Sequence, residues 1–504
     1  MRRKQFSIVL IVLMAGGAAR AESSLTIYNQ NFAVVRNPLA LDLQRGANEV
    51  RVTDITAHLE PDSVILRDRA GKRALQILEQ NYRADPVSQG LLLSMYEGKE
   101  IDFLVRKQEE DEIVRGRIIR SGYVPHQSGM ERYGRQYRAS QMAYASGPSG
   151  QPIVEVEGVL RFRLPGEPLF PSLADDTILK PTLHWVLETD RAGKLDAELS
   201  YVTGGMSWEA NYSMLAKEQG DAVDVIGWVT MDNQSGRTFE NARIKLMAGD
   251  VSKIQPQEAE LYAYAMNARS GMGGAMAPPV SEKAFEEYHL YTLARPTTLH
   301  DRETKQVEFL RAEGVQAERL YVYDGAKIDW NRYRGHSPES RRSNRDYGTQ
   351  SNPKVWVMKE FKNSKENHLG IPLPRGRVRF YRRDDDGQLE FTGENLIDHT
   401  PRDETVRIYT GDAFDLVGER RRTDYQIDTA RNWLDEAFEI KLRNRKEQGS
   451  VEIRVVEHLY RWINWEIVEK SNLFLKTDSQ TIEFRVQVPA GEEKIVTYKV
   501  HYTW

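Results

Sequence analysis

Residues 481–504 read TIEFRVQVPAGEEKIVTYKVHYTW, and this stretch decides the fold class. Ile482, Phe484, Val486 and Val488 take every second position with Glu, Arg and Gln between them. Val496, Tyr498, Val500, Tyr502 and Trp504 repeat the pattern after Pro489-Ala490-Gly491-Glu492-Glu493. A period of two sends alternate side chains to opposite faces of a strand, so each run has one buried and one wet face. The Pro-Gly stretch reads as a hairpin connection that pairs the two runs. A terminal aromatic strand also ends outer-membrane barrels, but those need lipid-facing segments of about ten residues repeated around the ring. A charged fraction of 29% and turns such as Pro372-Leu373-Pro374 argue instead for the inside of a sandwich.

The same period recurs on both sides of the chain's middle. Phe438, Ile440 and Leu442 precede Val451, Ile453 and Val455; near the start, Leu25 and Ile27 lead to Leu39, Leu41 and Leu43, a turn at Gly46, and Val50 and Val52. Short strands around Ile101, Phe103 and Val105, and around Ile113, Ile118 and Ile119, flank a polar stretch and suggest a small barrel with a long loop. The expectation is a mostly β chain of several antiparallel β-sandwich-like domains with a small inserted barrel. Its parts are a leader at 1–21, an N-terminal β domain at 22–90, the barrel-like insert at 91–165, a central sandwich region at 166–425 and a C-terminal sandwich-like domain at 426–504. Long loops are expected at 251–300 and 331–352, where Gly, Ala, Ser and Arg displace apolar periodicity.

Three times an apolar strand runs into an asparagine, passes a polar insert and resumes: Asn233 before Ile244 and Leu246, Asn363 before Ile371 and Leu373, and Asn444 before Val451 and Ile453. Asparagine tolerates turn geometry and bonds nearby backbone, so a turn accounts for each.

The first residues place Arg2, Arg3 and Lys4 before an apolar run at 6–14 and the triplet Ala19-Arg20-Ala21, the order of a cleavable secretory signal. The run is too short for a bilayer, which takes roughly 20 residues. Export to the periplasm or beyond is therefore expected, with no transmembrane span in the mature chain. The chain has no cysteine, so it has no disulfide, thiolate metal ligand or lipid-bearing cysteine, and buried apolar area must hold it. Removing Arg2, Arg3, Lys4 and Arg20 with the leader takes Lys plus Arg from 70 to 66 against 74 acids, a net charge of −8. That balance disfavours nucleic acid as a partner.

Several strings add a resemblance: FPSL at 170–173, KPTLHW at 180–185, YVTGGMSWEANY at 201–212, GWVTMDNQSGRTFENARIKLMAG at 227–249, LGIPLPR at 369–375 and GENLIDHTPRDE at 393–404. The chain resembles a family of secreted bacterial proteins known as a domain of unknown function, which also ends the mucoidy-inhibitor-A-like proteins. The resemblance implies a β-sandwich-rich extracytoplasmic protein and supplies no catalytic residues.

Few residues invite chemistry. Asp398, His399 and Glu404 gather an imidazole among carboxylates, the material of acid–base catalysis; the plainer reading is a loop whose polar groups bond the backbone. Tyr460, Trp462 and Trp465 could offer an aromatic binding strip, although alternating aromatics on a strand are more often core. Asp384-Asp385-Asp386-Gly387 lacks the alternate acids of a calcium loop and reads as a hairpin turn. Met266, Met272 and Met276 have no histidine beside them to make a metal site, and no cofactor is expected. No G-x-S-x-G, Walker or dinucleotide motif occurs. The expected function is a non-enzymatic envelope protein that binds a protein or glycan partner, and the rival is a hydrolase of an envelope polymer.

Overall fold

The structure is a computed structural model that describes residues 23–84, 86–107, 111–123, 151–173, 177–218, 220–249, 251–253, 280–326 and 337–504. The leader read at 1–21 and the methionines 266, 272 and 276 lie outside the described residues. The described residues are 63% strand and 4% helix, the mostly β fold that the period-two patterning dictates. It divides into two compact units: the described residues of one fall within 23–209, 230–253 and 280–307, and those of the other within 210–229 and 308–504.

In the first unit the largest sheet orders Val280–Phe285, Tyr288–Leu293, Phe239–Ala248, Ser24–Tyr28, Phe32–Leu43, Gly193–Gly204 and Ile65–Asp68, with Thr297–Leu299 added beside Phe239–Ala248. Ser24–Tyr28 runs parallel to Phe239–Ala248, a pairing that needs a long crossover and that alternation alone does not reveal. Leu39, Leu41, Leu43, Val50 and Val52 are buried, and Gly46 makes its turn at φ +96°. The strands on either side of Gly46 nevertheless enter different sheets, because Gly46–Thr53 pairs with Thr182–Thr189, which takes Leu75–Arg83 on its other edge.

Between Leu75–Arg83 and Thr182–Thr189 the chain makes its small insert. The expected barrel is an open sheet ordered Glu167–Leu169, Glu100–Val105, Glu112–Arg120, Ile153–Val156 and Val159–Arg161, over a core of Ile101, Phe103, Ile118, Val154 and Val156. Its end strands have three residues each, too short a ladder to close on one another. The loop expected at 251–300 also changes: from residue 280 it is a hairpin of Val280–Phe285 with Tyr288–Leu293, turning at Glu286 (φ +52°), followed by Thr297–Leu299. Leu290, Tyr291 and Leu293 are buried there.

The second unit holds most residues of a five-stranded sheet ordered Glu303–Gln316, Ala222–Asn233, Met206–Ala216, Gly376–Arg383 and Leu389–Ile397. The last two form the hairpin that the Asp-Gly signal predicts, with Gly387 at φ +84°. A nine-stranded sheet runs Trp465–Lys470, Glu493–Thr503, Trp433–Asn444, Thr405–Asp428, Lys354–Lys362, Glu318–Asp324, Val451–His458, Thr481–Val488 and Phe474–Lys476. The boundary read at 425/426 dissolves, since Thr405–Asp428 crosses it and pairs with Trp433–Asn444.

Val496, Tyr498, Val500 and Tyr502 are buried, as their alternation requires. Their strand pairs with Trp433–Asn444 and Trp465–Lys470, however, and not with Thr481–Val488. The turn closed by Glu492 N–H on Pro489 O carries the chain across the core, to a strand of the same sheet that five others separate from Thr481–Val488. Phe484 and Tyr498 consequently meet ring to ring, 5.8 Å apart.

Buried charge completes this core. Arg420 Nε lies 2.9 Å from both oxygens of Glu457, and the two side chains are 3% and 0% exposed. The Tyr498 hydroxyl donates to Glu457 at 2.5 Å, and the Arg420 guanidinium sits 3.9 Å above the Phe438 ring. Burial, then the Glu457 charge, push Tyr498 well above the usual phenol range, so it stays a donor. Beside it Arg461 donates to Glu436 at 2.8 and 3.0 Å, with Arg422 on the same carboxylate at 3.1 Å. The segment expected as a loop at 331–352 is described from residue 337 on, and it is fastened to this network. After a short helix, Pro338–Ser343, the carbonyls of Asn344 and Tyr347 accept from Arg461, that of Arg345 from Arg422 and that of Gly348 from Arg420.

A buried carboxylate that loses a donor keeps its desolvation cost without the compensating bond. Tyr498→Phe should therefore destabilise the protein by about 1 to 3 kcal/mol. Tyr498→Ala, which also opens a cavity, should cost about 3 to 5 kcal/mol. Denaturant unfolding measures both, and an alanine variant as stable as the parent would place Tyr498 outside the core.

Candidate functional site

The larger cavity, about 550 Å³, lies in the first unit and is lined by Ala57, His58, Asp232, Gln234, Gly236 and the run 301–304. Asn233 builds it. Its side chain is fully buried, and its amide N–H groups reach the carbonyls of Arg237 (2.8 Å), His300 (2.9 Å) and Leu299 (3.3 Å). Its Oδ1 accepts from the Ser235 hydroxyl (2.7 Å) and N–H (3.1 Å). One residue thus closes the turn 234–238 and ties it to the chain at 299–300. The backbone adds Arg302 N–H on Asn233 O at 2.7 Å, and Gly236 N–H donates to Asp301 Oδ1 at 2.8 Å.

The other wall comes from far earlier in the chain. Ala57 N–H donates to Ser235 O, Gly204 N–H to His58 O, and Gln234 N–H to Gly205 O. Gly205 has φ +76°, and a Cβ there would stand 2.8 Å from Gln234 O and 2.9 Å from His58 Cδ2, so glycine is required where these segments meet.

The lining side chains present both acceptors and donors. The Thr304 hydroxyl donates to Asp232. Glu303 accepts the His300 N–H at 2.7 Å and pairs with Lys305 at 3.1 Å. The backbone bond from His300, ahead of that from Lys305, holds Glu303 below the usual carboxylate range. A general acid needs the opposite shift, so Glu303 is a fixed acceptor. Carboxylates, an amide, a hydroxyl and an imidazole around one open cleft are the groups that exchange hydrogen bonds with a polyhydroxyl ligand.

The residues singled out from sequence lie elsewhere. Asp398, His399 and Glu404 follow Leu389–Ile397 on a loop pinned to Leu373 through paired Leu373–Thr400 backbone bonds. His399 Nδ1 accepts the Arg375 N–H at 3.1 Å, the Asp398 carbonyl accepts the Thr400 hydroxyl, and the Glu404 carbonyl accepts the Asn363 N–H. Fully buried Asn363 holds the turn, its amide on the carbonyls of Ile371 and Pro401, each at 2.8 Å. Asp398 and Glu404 are exposed and His399 is half-buried. Trp462 and Trp465 pack half-buried on the core of the second unit; the Trp465 indole donates to Ser479 O, and Lys476 lies over its ring. Tyr460 stacks on His458 at 4.9 Å, and burial raises its pKa.

The cleft was within reach of the sequence only in part. The strings at 201–212 and 227–249 contain Gly204, Gly205, Asp232, Asn233 and Gly236, but periodicity gives no sign that they meet His58. No protein-family model and no curated protein matches the chain.

Removing the Asn233 amide leaves buried carbonyls unpaired, each worth about 1 to 3 kcal/mol. Asn233→Ala should therefore destabilise the first unit by about 3 kcal/mol or more, and Asn233→Asp, which loses the donors, should not rescue it. Chemical unfolding of the two variants tests this, and a stable aspartate variant would contradict the amide's role.

Proposed function

We propose that this chain is a non-enzymatic, exported binding protein that takes a glycan of the cell envelope in the cleft of its first unit. The observation that carries the reading is the cleft itself: an open volume of about 550 Å³ in which backbone bonds fix Asp301 and Glu303, the Thr304 hydroxyl fixes Asp232, and the lining offers both acceptors and donors. Fixed polar groups make a hydroxyl-recognising site selective, because a ligand that lacks the hydroxyl leaves them unpaired. Asp232, Asp301 and Glu303 outnumber Arg302, which lies 3.7 Å from Asp301, so the lining is net acidic and favours neutral or amino sugars over acidic ones. The leader at 1–21 supports export, and the resemblance to secreted bacterial proteins supports the compartment. Among the described residues no helix is long and apolar enough to cross a membrane.

The mature chain, applied to an array of neutral and acidic oligosaccharides, should retain neutral members and release no cleavage products. Asp232→Ala and Gln234→Ala should each weaken that binding at least tenfold, about 1.4 kcal/mol. Failure to retain any neutral glycan, or the appearance of new reducing ends, would contradict a binding role.

A further inference from the structure

A second cavity, about 330 Å³, lies wholly within the second unit, and its chemistry is the reverse of the cleft's. Four cations line it: Arg319, Lys359, Arg382 and Lys446. Arg319 and Lys359 are direct cross-strand partners on Glu318–Asp324 and Lys354–Lys362. Like charges facing each other across a ladder destabilise a sheet, so the fold tolerates a repulsion here that it avoids where Arg407 faces Glu360 on the neighbouring strand pair.

The cations are positioned but incompletely neutralised. Lys359, 6% exposed, donates to Asp221 at 2.9 Å and to the Ala317 carbonyl at 3.0 Å. The Arg382 guanidinium is held by the carbonyls of Lys217 and Glu218, at 2.8 and 3.0 Å. Lys446 follows buried Asn444, whose Oδ1 accepts the Lys446 N–H, and its ammonium donates to the Tyr321 hydroxyl at 2.7 Å. Burial alone would raise Tyr321, yet hydrogen bonds from Lys446 and Arg319 hold it below the usual phenol range. Burial lowers Lys359, and the charges of Arg319 and Arg382 act in the same direction. Of the two acids that line the cavity, Asp412 is already taken by Lys354 at 2.6 Å and the Tyr409 hydroxyl at 3.0 Å.

The rim adds a ring. Lys354 pairs with Val417 and Trp356 with Asp412, so two steps on one strand face five on the other and the chain bulges out at 413–416. Phe414 stands on that bulge, 97% exposed, beside the cavity.

We propose that this cavity binds a small anionic sugar, one bearing a carboxylate or a phosphate, with Arg319, Arg382 and Lys446 meeting its charge and Phe414 covering the apolar face of its ring. The volume is at the lower end of the range that encloses a small molecule. The bound anion adds to the counter-charge that Asp221 brings to the Arg319–Lys359 pairing through Lys359 alone.

Calorimetric titration with glucuronate, glucose 6-phosphate and glucose tests the proposal, on the chain carrying Asp232→Ala and Gln234→Ala so that the neutral-glycan cleft of the first unit is disabled. At least one of the two anions should bind, which one distinguishing a carboxylate from a phosphate, and glucose should not; affinity should fall as salt is raised. Phe414→Ala should weaken the sugar anion at least fivefold while leaving any binding of inorganic phosphate unchanged. Arg319→Gln should weaken the sugar anion at least tenfold and raise the melting temperature of the ligand-free protein, because it removes the cross-strand repulsion. A merely structural arginine would give the opposite shift in melting temperature. Absence of binding by both anions, equal binding of glucose, or a lowered melting temperature in Arg319→Gln would overturn the proposal.

Discussion

The fold depends on asparagine amides buried at the ends of strands. Asn233, Asn363 and Asn444 are each fully buried, and each uses its side-chain nitrogen to satisfy carbonyls of two different segments: the turn that follows it and a more distant strand or loop. A carboxamide suits this position because it donates two hydrogen bonds and accepts on its other end without a net charge. Aspartate would bring a buried charge and no donors, and an apolar residue would leave carbonyls unpaired. Each asparagine also sets what lies beyond it: Asn233 the cleft, Asn363 the loop of Asp398 to Glu404, and Asn444 the backbone of Lys446.

The nine-stranded sheet uses ionic groups in the same way. Arg420 and Arg461 are almost wholly buried, a placement that costs desolvation unless every hydrogen-bonding direction is met. Carboxylates meet part of the need, and the backbone at 344–348 meets the rest. The residues that fasten that segment come from Thr405–Asp428 and from the turn after Val451–His458, so its docking depends on the sheet having formed.

This separates what was legible in the sequence from what was not. The period of two at Val496, Tyr498, Val500 and Tyr502 reports a local property, the burial of one strand face, and it held. Which strand lies beside it is set by where the chain goes after a turn, and the same Pro-Gly turn serves a hairpin or a crossing of the core. The parallel pairs, such as Ser24–Tyr28 with Phe239–Ala248, are invisible to alternation for the same reason. At 337–352 polar composition suggested a free loop, because its partners are arginines far away in sequence. The asparagine recurrence was visible and its turn geometry correctly read, but its burial and the cleft it shapes emerge only when residues 57, 205 and 301 are brought to it.

Two cavities of opposite character follow from these constraints, one acidic and rich in acceptors, the other lined by cations. The central claim is that the first of them is a preformed glycan site. Hydrogen–deuterium exchange on the protein, with and without its tightest-binding neutral oligosaccharide, addresses that claim most directly. The account predicts added protection at residues 57–58, 232–236 and 301–304, with little change at 398–404 or 460–465. Protection confined to 398–404 or 460–465, or no change around Asn233, would contradict it.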